Sequence, residues 1–192
     1  MIQLQDGDLL YHTSYLEIRK IDLNKGKRGH DFGKGFYVTS SYKQACGYIA
    51  QAVKKAKRLR KVPDTFSEAD GVINVYRVHL DADILVHCFE TADASWLHFV
   101  AGNRDGELFP VLLKKYESTD IIGGKIADDN TARTLDNYIS GAYGAPGEKK
   151  ADELALEFLL PNRLHDQFCF RTEDAINCLE FIRSERYGNV KE

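Results

Sequence analysis

Apolar residues recur along this chain with two spacings, every second residue and every third or fourth, and the changes from one to the other mark out strands and helices. Leu9-Leu10-Tyr11-His12 is a short apolar run that predicts a buried first strand, closed by the hydroxyls of Thr13 and Ser14. From Ile18 to His30 the apolar residues thin out into a charged connection, read as a surface loop with a short helical turn. Gly33 to Thr39 predicts a strand entered through glycines, because Phe36-Tyr37-Val38-Thr39 is aromatic and β-branched. Ser41 then stands as an N-cap, and Ala45, Ile49, Val53 and Ala56 carry a helical spacing through the cations of residues 54–61 until Pro63.

The second half continues in the same manner. Residues 72–80 alternate apolar and polar side chains, the pattern of a half-buried strand, and residues 84–89 predict another. Asp93 or Ser95 caps a helix whose Trp96, Leu97, Phe99 and Val100 form an apolar face, ending at Gly102-Asn103-Arg104. The stretch Asp120 to Asn130 reads as a strand with a glycine bulge at Gly123-Gly124 that opens into an acidic turn at Asp128 and Asp129, with Asp129 or Asn130 capping a helix through Tyr138. Residues 141–150 make the expected flexible loop. A short helix follows to Pro161 with Leu154, Phe158 and Leu159 inward, then a last strand over residues 167–170, then a C-terminal helix capped by Thr172 that buries Ala175, Ile176, Leu179 and Ile182. The mixture predicts an α+β class and one domain over residues 1–192, without the regular alternation and glycine-rich turn of a Rossmann fold.

Composition narrows the function classes. The net charge of −3 and a pI near 6.1 argue against a protein given over to non-specific nucleic-acid binding, although residues 54–61 form a local basic face. Cys46, Cys88, Cys169 and Cys178 are widely spaced, so neither a disulfide framework nor a metal site is expected. The first residues lack the features of a signal peptide and no run approaches the ~20 apolar residues of a membrane span, which leaves a cytoplasmic, membrane-independent protein as the expectation.

The candidate chemistry gathers around the glycine-entered strand. Gly33 and Gly35 would let a ligand approach the backbone, and Tyr37 and Tyr48 could face one cleft from two walls; taken alone, the tyrosines read equally as half-buried core residues. His12, at the end of its strand, reads as a ribose ligand or as an ordinary satisfied histidine. Arg104 beside Asn103 offers a bidentate fork for phosphate or carboxylate.

Together these pieces form a recognisable pattern. His12 in Tyr-His-Thr-Ser resembles the His-Gly-Ser strand of the poly(ADP-ribose) polymerase and diphtheria-toxin branch of the ADP-ribosyltransferases. Phe32-Gly33-Lys34-Gly35-Phe36-Tyr37 resembles that branch's Phe-Gly-Lys-Gly-Ile-Tyr segment, and Tyr48 stands at the spacing of its second stacking tyrosine. The chain is also similar, over most of its length, to a family of small, largely uncharacterised bacterial proteins assigned to the same fold. These share Tyr-His, Asp-Phe-Gly-Lys-Gly-Phe-Tyr, Trp-Leu-x-Phe-Val-x-x-Asn-Arg, Gly-x-x-Ala-x-Asp and Gln-x-Cys-Phe.

The resemblance implies a split β-sheet clamp that binds NAD as substrate. His12 would hold the adenosine ribose, the backbone at Thr13, next to Ser14, would grip the nicotinamide carboxamide, and Tyr37 and Tyr48 would sandwich the nicotinamide ring beside Gly35 and Phe36. It makes His12, Tyr37 and Gln167 the counterparts of a His-Tyr-Glu triad. The sequence departs from that pattern at Gln167, where glutamate is expected, at Ala45, where serine is expected, and at Thr13, where glycine is expected. Glutamine accepts a hydrogen bond but supplies no charge, so Asp166, Asp128 or Asp129 would have to assist. The implied function is mono-ADP-ribosylation of a protein or nucleic-acid acceptor by a bacterial toxin or effector, with an antitoxin or other regulatory partner. The alternatives are an NAD- or ADP-ribose-binding module without chemistry, and an interaction protein that uses the basic face of residues 54–61.

Overall fold

A computed structural model describes residues 2–26, 29–126, 129–159 and 165–189. Among them the strands form two sheets. Strand β1 (Leu9–Ser14) pairs antiparallel with β3 (Val72–Val78), which pairs on its other edge with β7 (Leu179–Arg186). The second sheet has the order β2-β6-β5-β4, from β2 (Phe36–Val38), β6 (Asp166–Phe170), β5 (Ile121–Lys125) and β4 (Val86–Cys88). Its pairings are antiparallel except for β4 with β5, which is parallel.

The two sheets lie face to face. Leu10, Tyr76 and Val78 of the first meet Val38, Ile121, Phe168 and Phe170 of the second in one core cluster. Helices cover the outer faces. Helices α1 (Tyr42–Gly47) and α2 (Ile49–Arg58) lay Ala45, Ile49 and Val53 on Ile73 and Tyr11 of the three-stranded sheet. Helices α3 (Ala94–Asp105), α5 (Asp129–Ile139) and α6 (Lys149–Leu159) close the far side of the other sheet around Trp96, Phe99, Leu135, Tyr138 and Ile122, with α4 (Pro110–Lys115) packed alongside. The order helix, sheet, sheet, helix is a mixed α+β architecture. It buries β3 on both faces, with only Arg77 exposed, where alternation alone predicts a half-buried strand.

Several expectations are corrected. The single helix from Ser41 is two: Ser41 does cap it, accepting from the Gln44 N–H, but Gly47 and Tyr48 break it, and Arg60 at φ 53 ends it before Pro63. No bulge interrupts β5 in its ladders. Its glycines serve packing instead, since a Cβ at Gly123 would lie 2.7 Å from Phe168 and one at Gly124 2.8 Å from Phe32. On α6 the inward residues are Ala151, Asp152, Ala155 and Leu159, while Leu154 and Phe158 are exposed, because small side chains let that helix approach its neighbours closely. The C-terminal helix is only α7 (Glu173–Asn177), capped by Thr172 as expected; Leu179 and Ile182 belong to β7, which completes the edge of β3. Helix α4 has no counterpart in the sequence reading. At the end of residues 141–147 the Tyr138 hydroxyl accepts from the Gly147 N–H at 2.9 Å. Among the described residues no helix is long and apolar enough to cross a membrane.

Candidate functional site

The sheets touch edge to edge at one point. Tyr11 and Thr39 form an isolated bridge, exchanging both backbone hydrogen bonds at 2.9 and 3.0 Å. If that ladder continued, the next hydrogen-bonded pair would be Thr13 and Tyr37. It does not continue: the side chain of His12 takes the place of the strand, and its Nδ1 meets the Tyr37 carbonyl at 2.7 Å. A carbonyl only accepts, so Nδ1 carries the proton, and in the neutral ring Nε2 is left as an acceptor. Burial holds the His12 pKa below its ordinary value, with the Lys55 charge acting in the same direction against the Tyr37 hydrogen bond. The imidazole stacks on Phe36 at 4.4 Å. Strand alternation turns the N–H and C=O of Thr13 to the same side as those of Tyr11, into the parting between the strands. The Thr13 hydroxyl donates to the Ala45 carbonyl at 2.7 Å and so fixes α1 against β1.

Tyr37 holds the other lip. Its hydroxyl accepts from the Phe32 N–H at 3.0 Å and donates to the Gly33 carbonyl at 2.6 Å, which locks the turn leading into β2. Burial, then the neighbouring Cys169, drive the phenol pKa far upward, so it acts as a neutral donor. The His30 ring meets it edge-on at 5.6 Å. The glycines here have structural reasons beyond ligand access. Gly33 adopts φ +83, and a Cβ at Gly35 would sit 2.4 Å from Cys169 Sγ and 2.6 Å from the Phe170 carbonyl.

Gln167 follows from the register. Tyr37 pairs with Cys169, so Tyr37, Cys169 and Gln167, spaced by two along β6, share one face of the sheet. Gln167 is buried and its Nε2 donates to Asp31 Oδ2 at 3.3 Å. Asp31, also buried, receives the guanidinium of Arg104 through Nε and Nη2, both at 2.7 Å. Arg104 therefore binds a carboxylate of the chain itself, and Asn103 is spent on the turn of α3 below Phe99, donating to its carbonyl at 2.9 Å. Neither is a free anion fork in this structure. Asp166 is likewise engaged, with Lys125 at 2.7 Å, while its carbonyl accepts from the Thr39 hydroxyl at 2.9 Å. Asp128, and the side chain of Asp129, lie outside the described residues.

A cleft of about 520 Å³ opens beside this junction, between the strand ends and residues 15–26. It gathers His12, Ser14, Gly35, Phe36 and Tyr37. Thr13, Gln167, Asn103, Arg104 and Tyr48 are not in its lining, and Tyr48 sits at the α1–α2 break with 45% of its surface exposed. Two participants escaped the sequence reading: His30, in the cleft wall, and Asp31, which binds Gln167 and Arg104. For Asp31 the available signal was its place beside Phe32 in the Asp-Phe-Gly-Lys-Gly-Phe-Tyr stretch, an acid adjoining a residue certain to be buried.

In comparisons with known proteins, the profile of the family described as protein of unknown function (DUF3990) matches residues 9–181. No curated protein and no solved structure matches the chain.

Proposed function

The chain belongs to the DUF3990 family, and from that footing we propose that it is an NAD-dependent mono-ADP-ribosyltransferase built on a split β-sheet clamp. The observation that carries this reading is the parting of β1 from β2 at Thr13 and Tyr37, with the His12 imidazole bound to the Tyr37 carbonyl where the ladder stops. A carboxamide needs one donor and one acceptor held side by side, and the Thr13 N–H and C=O offer both. His12 Nε2 accepts a ribose hydroxyl. The Tyr37 ring, immobilised through its hydroxyl, forms one wall for the nicotinamide, and the second wall is assigned to Tyr48, exposed at the α1–α2 break.

In the reaction the bond from the ribose C1′ to the nicotinamide nitrogen breaks and its electron pair neutralises the pyridinium. The acceptor's nucleophile then bonds C1′ and loses its proton. Gln167 contributes orientation: with Nε2 donating to Asp31, its Oε1 is left to accept from a ribose hydroxyl. The acceptor is a macromolecule, and the biological role is that of a toxin or regulatory effector, held in check by an antitoxin or similar partner.

The test is incubation of the protein with NAD labelled in the adenylate, in the presence of a cell lysate. Wild-type protein is expected to release nicotinamide and label a macromolecule, and Tyr37→Ala to lose at least roughly a hundredfold of that rate, as when an aligned reacting geometry is lost. Absence of both release and labelling would overturn the enzyme reading. A second reading, NAD binding without turnover, is favoured by the neutrality of Gln167 and the engagement of Asp166 with Lys125. It predicts calorimetric binding of NAD that stays intact.

A further inference from the structure

Charge is distributed unevenly along this chain. Residues 32–63 hold eight cations and no acid, whereas the remaining residues hold 18 cations against 29 acids. The structure concentrates this excess on one ridge. Helix α2 turns Ile49, Val53 and Ala56 inward onto Ile73 and Tyr11, which leaves Lys54, Lys55 and Arg58 exposed on its outer side, continued by Arg60 and Lys61 beyond its end. None of the eight cations forms an ion pair among the described residues. The α2 helix alone extends for about 15 Å at 1.5 Å per residue. Cations that solvate a helix commonly alternate with acids at i,i+4, and acids are abundant elsewhere in this chain; here they are missing.

The ridge also has an address. Helix α2 lies on β1, the strand that carries His12, and the Lys55 charge is felt at the His12 ring. A polymer laid along α2 therefore runs alongside the strand that carries His12. Successive unpaired cations along one line match a ligand with a charge at every repeat, and the guanidinium forks of Arg58 and Arg60 suit phosphate oxygens.

We propose that the α2 ridge is the docking surface for the phosphodiester backbone of a nucleic acid, and that the nucleic acid is the acceptor delivered to the cleft. The inference deepens the transferase reading and rests on it for the word acceptor, while the docking itself is measured without NAD. Labelled single-stranded DNA, duplex DNA and single-stranded RNA of mixed sequence, and a poly-glutamate peptide, are titrated by fluorescence anisotropy into the full chain. The same is done with a Lys54→Glu/Arg58→Glu/Lys61→Glu variant whose fold is checked by circular dichroism and thermal melting. Wild-type protein is expected to bind at least one nucleic acid with an affinity that falls steeply between about 50 and 200 mM salt. The variant is expected to bind roughly tenfold or more weakly with a shallower salt slope, since each phosphate contact contributes to it. Equal affinity of the two proteins for nucleic acid, or tighter binding of the peptide than of any nucleic acid, overturns the proposal. Nicotinamide release from NAD, assayed in parallel, is expected to be unchanged by the three substitutions. Its absence in both proteins removes the transferase reading, and the anisotropy comparison still decides the ridge.

Discussion

At the scale of the residue, Gln167 is the position where resemblance and structure have most to say to each other. The glutamine is matched to its surroundings: its amide donates to Asp31, whose other oxygen is held by Arg104. A carboxylate in place of the amide would face Asp31 directly, and one guanidinium would have to satisfy two buried acids. Gln167→Glu is therefore expected to destabilise the fold by on the order of 3 kcal/mol, the scale of an uncompensated buried charge. Asp31→Asn combined with Gln167→Glu should recover most of that loss. Urea unfolding of the two single variants and the double variant makes a cycle; additive losses would show that the two side chains are not coupled. Nothing in the sequence could announce this pair. The residues are 136 positions apart and meet only because β6 lies beside β2 and the turn before β2 folds back over it.

At the scale of the element, legibility followed local chemistry. Ser41, Asp93 and Thr172 cap their helices through side-chain oxygens that accept from the N–H three residues on, an interaction complete within four residues and so visible in the sequence. Removing the first of them, Ser41→Ala, should cost about 1 kcal/mol by chemical denaturation. It should also slow any activity that depends on α1, because the helix is anchored to β1 through Thr13 and the Ala45 carbonyl. An unchanged unfolding midpoint would show that the cap is redundant. Trp96 as core was legible for a related reason, its bulk in an apolar helix face. The errors arose where a remote partner decides. Residues 179–186 can satisfy a helical spacing or a strand, and the open edge of β3 selects the strand. On α6 Leu154 and Phe158 point out while Ala151 and Ala155 point in with Leu159, because the available space against the neighbouring helices chooses the face as much as hydrophobicity does.

At the scale of the whole molecule, two histidines link stability to acidity. His12 sits where the sheets part, and His87 on β4 lies between Phe89 and Tyr116 with a buried Nε2 that has no hydrogen-bond partner among the described residues. Burial lowers the pKa of both, assisted by Lys55 for His12 and Lys115 for His87. The sign follows directly. With folded pKa values below the unfolded value of about 6.5, the unfolded chain binds these protons first as pH falls. Their contribution is thus full above about pH 6.5 and is lost as the pH drops through the folded values. Urea midpoints measured from neutral pH downward should decline over that interval, and His87→Phe should flatten part of the decline. A midpoint independent of pH there would show that neither ring is held neutral by the fold.

The pairing order of the strands also governs when the protein becomes competent during its synthesis. The lip formed by β2 is supported by β6, more than a hundred residues later, and β3 gains its second neighbour only with β7. A nascent chain that stops short of residue 166 has the histidine, both tyrosines and the basic helix, yet has no strand against which to hold Tyr37. Forms that stop before residue 166 are therefore expected to be inert, so that the cleft comes into being only once β6 and β7 are made.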